Sequence, residues 1–156
     1  MVIRQATMED IPQLNELRKQ VSLLHAQARP DMFKPGFPPE VAAFIFDMYN
    51  ADNRHLLVAE EGERLVAYAC LAEMETNETP YRPGRRYLEV DEFGVDASCR
   101  RQGIGRKLFD EIRRFAKEKG FDRIELNMWE FNDNALKFYE SIGFTTYRRY
   151  MEMTID

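Results

Sequence analysis

The sequence predicts an α/β (α+β) fold with the element order β-α-α-β-β-β-α-β-α-β, which gives six or seven strands and about four helices. Three observations predict it. The run from Tyr87 to Val95 reads as a strand that leads through a short basic, glycine-containing loop straight into a helix. Ahead of it, Leu56-Leu-Val-Ala59 and Leu65-Val-Ala-Tyr-Ala-Cys-Leu71 flank a tight turn at Glu61-Gly62-Glu63, which is a hairpin pattern. Behind the loop, Ile104, Leu108, Ile112, Phe115 and Ala116 recur at helical spacing until Gly120 caps them.

Taken in order, Val2–Ala6 is a short strand, and Thr7, Asp10 and Pro12 are helix-start residues. Ile11, Leu14, Leu17, Val21 and Leu24 then make one apolar stripe, predicting a helix to about Ala28. Arg29 to Pro39 holds four prolines and is irregular. A second helix turns Val41, Phe44, Ile45 and Met48 inward and ends near Asp52-Asn53. Strands over 54–60 and 64 to about 75 form the hairpin, and a polar loop over 76–86 leads to the central strand. Beyond the third helix, Arg123 to Trp129 alternates like a strand, with Trp129 as a core residue. Asn132 opens a short helix whose inner face is Ala135, Phe138, Tyr139 and Ile142 and whose stop is Gly143. Phe144 to Ile155 closes the chain as one or two strands.

At 156 residues the length suits one domain over 1–156 and is short for two. A net charge of −5 argues against nucleic acid as a partner. No leader-like or membrane-length apolar run occurs, and Cys70 and Cys99 lack metal spacing. A cytoplasmic protein without a metal or a membrane partner is expected.

The loop after the central strand carries the chemistry. The first turn of a helix has backbone N–H groups without intrahelical partners, and the helix dipole adds positive charge there. Such an end binds phosphates. Arg100, Arg101, Gln102, Gly103, Ile104, Gly105 and Arg106 therefore form a candidate pyrophosphate cradle, with Lys107 adding charge. No G-x-x-x-x-G-K-[ST] loop exists, and Leu108 stands where a dinucleotide fingerprint needs its third glycine.

The pattern R-x-x-G-x-G, Arg100 to Gly105, after a strand ending in Val-Asp resembles the GNAT superfamily of acetyl-CoA-dependent N-acetyltransferases. The element order resembles that family along essentially the whole chain, and so does Phe138-Tyr139-Glu-Ser-Ile-Gly143-Phe144. The resemblance implies a mixed central sheet, acetyl-CoA as co-substrate and a primary amine, on a small molecule or peptide, as acceptor. It further implies backbone pairing of the cofactor arm with Phe93, Gly94 and Val95, a contact from Asn132, and Tyr139 near the sulfur as general acid. A carboxylate on the central strand is implied as base. Glu92 is favoured, with Glu89 and Asp91 in reserve.

Direct attack needs an amine stripped of its proton, since an alkylammonium of pKa about 10 has no free lone pair. It also needs donors for the oxyanion, for which the Val95 N–H is the candidate, and a proton for the departing thiolate. Strand alternation puts Glu89 and Asp91 on one face and Glu92 on the other, unless a bulge at Gly94 shifts the phase. A route through Cys99 lacks a neighbouring histidine. His25, Arg29, Asp31, Phe33 and Phe37 are candidates for the substrate lip. A non-catalytic acyl-CoA-binding module is the alternative reading, an unrelated nucleotide-binding protein a third, and a homodimer through the last strands a further expectation.

Overall fold

The computed structural model describes residues 1–155. Strand β1 (Val2–Gln5) and a short 3-10 turn at Met8–Asp10 precede helix α1 (Ile11–Ala28). Arg4 grips the Asp10 carboxylate at 2.6 and 2.9 Å, and the Thr7 N–H donates to it at 2.7 Å. These donors hold Asp10 well below the usual carboxylate range, at about 2, with the Arg4 hydrogen bond the largest cause.

Helix α2 (Pro39–Asn50) follows, then β2 (Arg54–Glu61), β3 (Arg64–Thr76) and β4 (Arg85–Val95). Helix α3 (Ile104–Glu118), β5 (Ile124–Leu126) and α4 (Asp133–Ser141) complete the order. The sheet runs β1-β2-β3-β4-β5, antiparallel until the last pair, which is parallel. It is mixed, as expected, and four α-helices flank it. On one face, α3 and α4 pack Ile104, Leu108, Phe109, Ile112 and Ile142 against Leu57, Ala69, Leu88 and Val90. On the other, α1 and α2 pack Leu14, Leu17 and Ile45 against Leu56, Val58 and Tyr68.

Several expectations are corrected. The sheet has five strands among the described residues, not six or seven, because 144–155 lies outside any ladder and β5 stops at Leu126. Met151 and Ile155 are 94% and 82% exposed, so the alternation that predicts a strand there finds no partner face. Leu24 and Phe44 leave their stripes and face solvent, because each helix meets the sheet through a narrower band than its apolar residues occupy. Trp129 is half-buried, outside both core clusters.

The bulge in β4 also differs from expectation. Cys70 pairs with Glu92 and Leu71 with Val90, so the extra residue is Asp91, not Gly94. Gly94 has another reason: a Cβ there would lie 2.5 Å from the ring of the fully buried Tyr68. Glycine lets α1 and β3 close over β4 at that point.

Candidate active site

The cradle is built where β4 runs into α3. Asp96 turns the chain: its carboxylate accepts from the Ser98 N–H at 2.8 Å, from Ser98 Oγ at 2.5 Å and from Gln20 at 3.2 Å, and pairs with Arg64 at 2.8 Å. The Ser98 hydroxyl is the largest cause of an acidity that holds Asp96 at about 2. Arg101 and Gly103 then take positive φ, 63° and 80°, and aim the chain into the helix. Buried Ile104 pins the first turn to the core, and no side chain caps it. Its leading amides are left for an outside acceptor. A Cβ on Gly103 would meet open space, so the loop is clear above that residue. Gly105 is glycine for closeness, since a Cβ would sit 3.4 Å from the Phe138 ring of α4.

Arg100 folds back onto the Val95 carbonyl at 3.3 Å, Gln102 onto the Ser98 carbonyl at 3.4 Å, and Arg106 onto Ser141 at 3.4 Å. All three contacts are exposed. Arg101 and Lys107 have no carboxylate partner among the described residues. Mobile positive charge therefore surrounds a fixed set of amides.

Next to the cradle the sheet parts. β4 and β5 pair only from Leu88↔Ile124 to Val90↔Leu126, while β4 continues to Val95. The Asp96 N–H donates back to Val66 of the preceding β3 segment at 2.9 Å. Strand alternation then turns the Val95 and Phe93 N–H groups the other way, into the parting. Phe93 also stacks on Phe138 at 5.7 Å between ring centroids, which joins the parting to α4.

Asn132 caps α4, accepting from the Ala135 N–H at 3.1 Å. Its amide nitrogen has no partner among the described residues. Tyr139 is ringed by Phe93, Phe138 and Phe144 at 6.2, 5.3 and 5.7 Å. Burial pushes its phenol up to about 12. The hydroxyl has no hydrogen-bond partner among the described residues and is not fully buried. A phenol so placed stays protonated at neutral pH and donates.

The bulge brings the three carboxylates to one face. Glu92 meets Arg18 of α1, Asp91 meets Arg54 beside α2 residues, and Glu89 shares the parity of Asp91. The expected separation of Glu92 from the other two does not hold, since the phase shift falls between them. Their partners differ. Arg18 donates to both Glu92 oxygens, at 2.9 and 3.0 Å, and the Tyr68 hydroxyl adds a third bond at 3.2 Å. Asp91 pairs with Arg54 at 2.5 Å. Glu89 has a single contact, from the Asn127 amide at 3.3 Å, beside the last β4–β5 pair.

A cluster of aromatic side chains joins the end of α1 to the segment after β5. The His25 Nδ1–H donates to the Val21 carbonyl at 2.7 Å, and the ring meets Phe33 and Phe131 edge-on. Phe33 reaches Trp129 at 5.0 Å, and Arg29 lies over Trp129 while pairing with Asp31 and Glu152. Phe37 covers Arg18 instead. Both histidines are engaged away from Cys99, which contacts only Ser98 Oγ.

Sequence reasoning missed Arg18, Arg54, Tyr68, Asp96 and Asn127. Arg18 carried a signal: it is a charged residue four after Leu14 and three before Val21, inside the buried stripe of α1. Asp96 carried one too, as an Asp two before Ser98, the spacing of a side-chain turn.

The model of the acetyltransferase (GNAT) family matches residues 21–144. The chain belongs to that family. The family is one of acetyltransferases. It is 32% identical over 119 residues to the N-alpha-acetyltransferase RimI of Mycobacterium tuberculosis, covering 76% of this chain and 69% of that protein. It is 30% identical over 94 residues to the probable N-acetyltransferase camello of Xenopus laevis, covering 60% of this chain but only 40% of that protein. The crystal structure of a point mutant of the BH1408 protein from Bacillus halodurans superposes with a TM-score of 0.95, at 30% identity and 99% coverage of both chains. No helix among the described residues is long and apolar enough to cross a membrane.

Proposed function

We propose that this chain transfers the acetyl group of acetyl-CoA to a primary amine by direct attack. The observation that carries the reading is the uncapped first turn of α3 opening beside a parted β4 and β5, with Tyr139 against Phe93 of β4. The amides of that turn, with Arg101 and Lys107, hold the diphosphate. The arm lies along Phe93–Val95, with the Val95 N–H donating to the carbonyl oxygen as its charge grows. The amine nitrogen bonds to the carbonyl carbon, the C–S bond breaks, and the amine proton leaves to a carboxylate. Tyr139 gives its proton to the thiolate.

Among the three acids, Glu89 fits the base best. A carboxylate whose oxygens already accept from Arg18 and Tyr68 must give up a charge-assisted bond before it takes a proton, and this disfavours Glu92. Asp91 is similarly held by Arg54, whereas Glu89 has only an amide donor. The acceptor is an amine on a small molecule or a peptide end, and the name of the Mycobacterium relative favours including α-amines. The test is CoA release across a panel of peptide N-termini, lysine peptides, polyamines and aminoglycosides, scored by product mass. Tyr139→Phe should lower turnover roughly a hundredfold with little change in acetyl-CoA affinity. Tight CoA binding without transfer to any amine would favour a binding module instead.

A further inference from the structure

The parting of β4 from β5 has a lock. Pairing with β5 ends at Val90, and the bulge falls on the next residue, Asp91. At this point two consecutive carboxylates are each gripped by an arginine from another element: Arg54 of β2 holds Asp91, and Arg18 of α1 holds Glu92. The two grips differ in burial. Arg54 and Asp91 are 33% and 39% exposed, so solvent screens them, while the Arg18 side chain is 5% exposed. Arg18 spends its remaining donor on the Asn15 amide oxygen at 3.0 Å and the Val41 carbonyl at 3.2 Å, and Phe37 lies over its guanidinium. From the sheet, buried Tyr68 donates its hydroxyl to the same Glu92.

Building on the acetyl-CoA reading above, we propose that Arg18 is a positioning residue: through Glu92 it fixes the register of β4 beyond the bulge and so holds open the slot for the acyl-CoA arm. A bulge gives up ladder bonds, and a one-residue slip of the strand would restore them. That slip reverses the faces of everything after Val90. Glu92 would turn toward Phe109 and Phe138, an apolar layer with no donor for it, and Phe93 would leave that layer. Arg18 makes the bulged register the one in which the charge is satisfied. The groups bonded to the Glu92 carboxylate are the Arg18 guanidinium from α1 and the Tyr68 hydroxyl from β3, and of these only Arg18 is a cation.

The experiment is calorimetric titration with CoA of the wild type, the double variant R18M/E92M and Arg18→Lys. Replacing both partners avoids stranding one buried charge but leaves the buried Tyr68 hydroxyl without its acceptor, so the double variant should fold and melt several degrees below wild type. Its Kd for CoA should rise about tenfold to a hundredfold, with kcat/KM for acetyl-CoA falling by the same factor. Arg18→Lys keeps the charge but loses the two-pronged bond, and should fall between. It decides by the same criterion if the double variant does not fold. Unchanged affinity in a folded variant overturns the proposal, and so does a lowered melting temperature with wild-type Kd. Failure of the wild type itself to bind CoA removes the acetyl-CoA reading instead.

Discussion

The two faces of the sheet are built on different principles. The α3–α4 face is closed by apolar packing alone: Leu108 and Ile112 are fully buried, Phe109 nearly so, and the cluster holds no charged residue. The α1–α2 face packs Leu14 and Ile45 just as tightly, yet carries buried Arg18 and Asp10 with the charges that face them. Packing tolerates any shape-complementary apolar set, whereas a buried charge is satisfied in one geometry only. The apolar face therefore fixes the start of α3 by packing, and the charged face sets which carboxylates are clamped by arginine and which are not.

That contrast can be broken by experiment. The largest effect expected is on chemistry from the charged face. Glu89→Gln should lower kcat by about two to three powers of ten while leaving the calorimetric Kd for CoA unchanged. Equal losses in Glu92→Gln and none in Glu89→Gln would reverse the order of the acids. On the apolar face, Leu108→Ala removes a fully buried side chain. It should cost about 3 kcal/mol in a denaturant melt, with kcat of the folded protein retained.

Asp10 offers a smaller effect with a defined sign. Its folded value, about 2, lies below the ordinary 3.8. Its contribution is therefore complete above about pH 4 and is lost as the pH falls toward 2. Asp10→Asn should remove roughly 2 kcal/mol at pH 7 and flatten the acid side of the stability curve in that window. Gly103→Ala imposes a side chain on a φ of 80° with open space around it. The expected loss is about 1 kcal/mol of stability together with weaker CoA binding, readable by melting with and without CoA. The smallest effect belongs to the exposed Arg54–Asp91 pair. Arg54→Met should change stability by less than about 1 kcal/mol, and added salt should erase the difference.

The strand–loop–helix turn from β4 into α3 was legible because it depends on local chemistry. Gly103 was needed for its left-handed φ, and the helix start followed from Ile104 and Leu108 at helical spacing. The helix that carries Tyr139 was legible, since its start and stop are set within one short segment. The face of Glu92 was not, because a one-residue bulge is invisible to alternation, and Gly94, the residue that suggested a bulge, answers to the Tyr68 ring instead. The tail misled for the opposite reason. Alternation at Met151, Met153 and Ile155 states a capacity for pairing, and no strand lies beside it.

By itself the sequence determined the order of elements as far as α4, the hairpin, the strand–loop–helix turn and the family, since each is written in contacts between residues near one another in the chain. Tertiary structure alone decided which acid is clamped, where β4 departs from β5 and what Arg18 touches. Glu92 and Arg18 are 74 positions apart, and only the packing of α1 across β4 brings them to 2.9 Å.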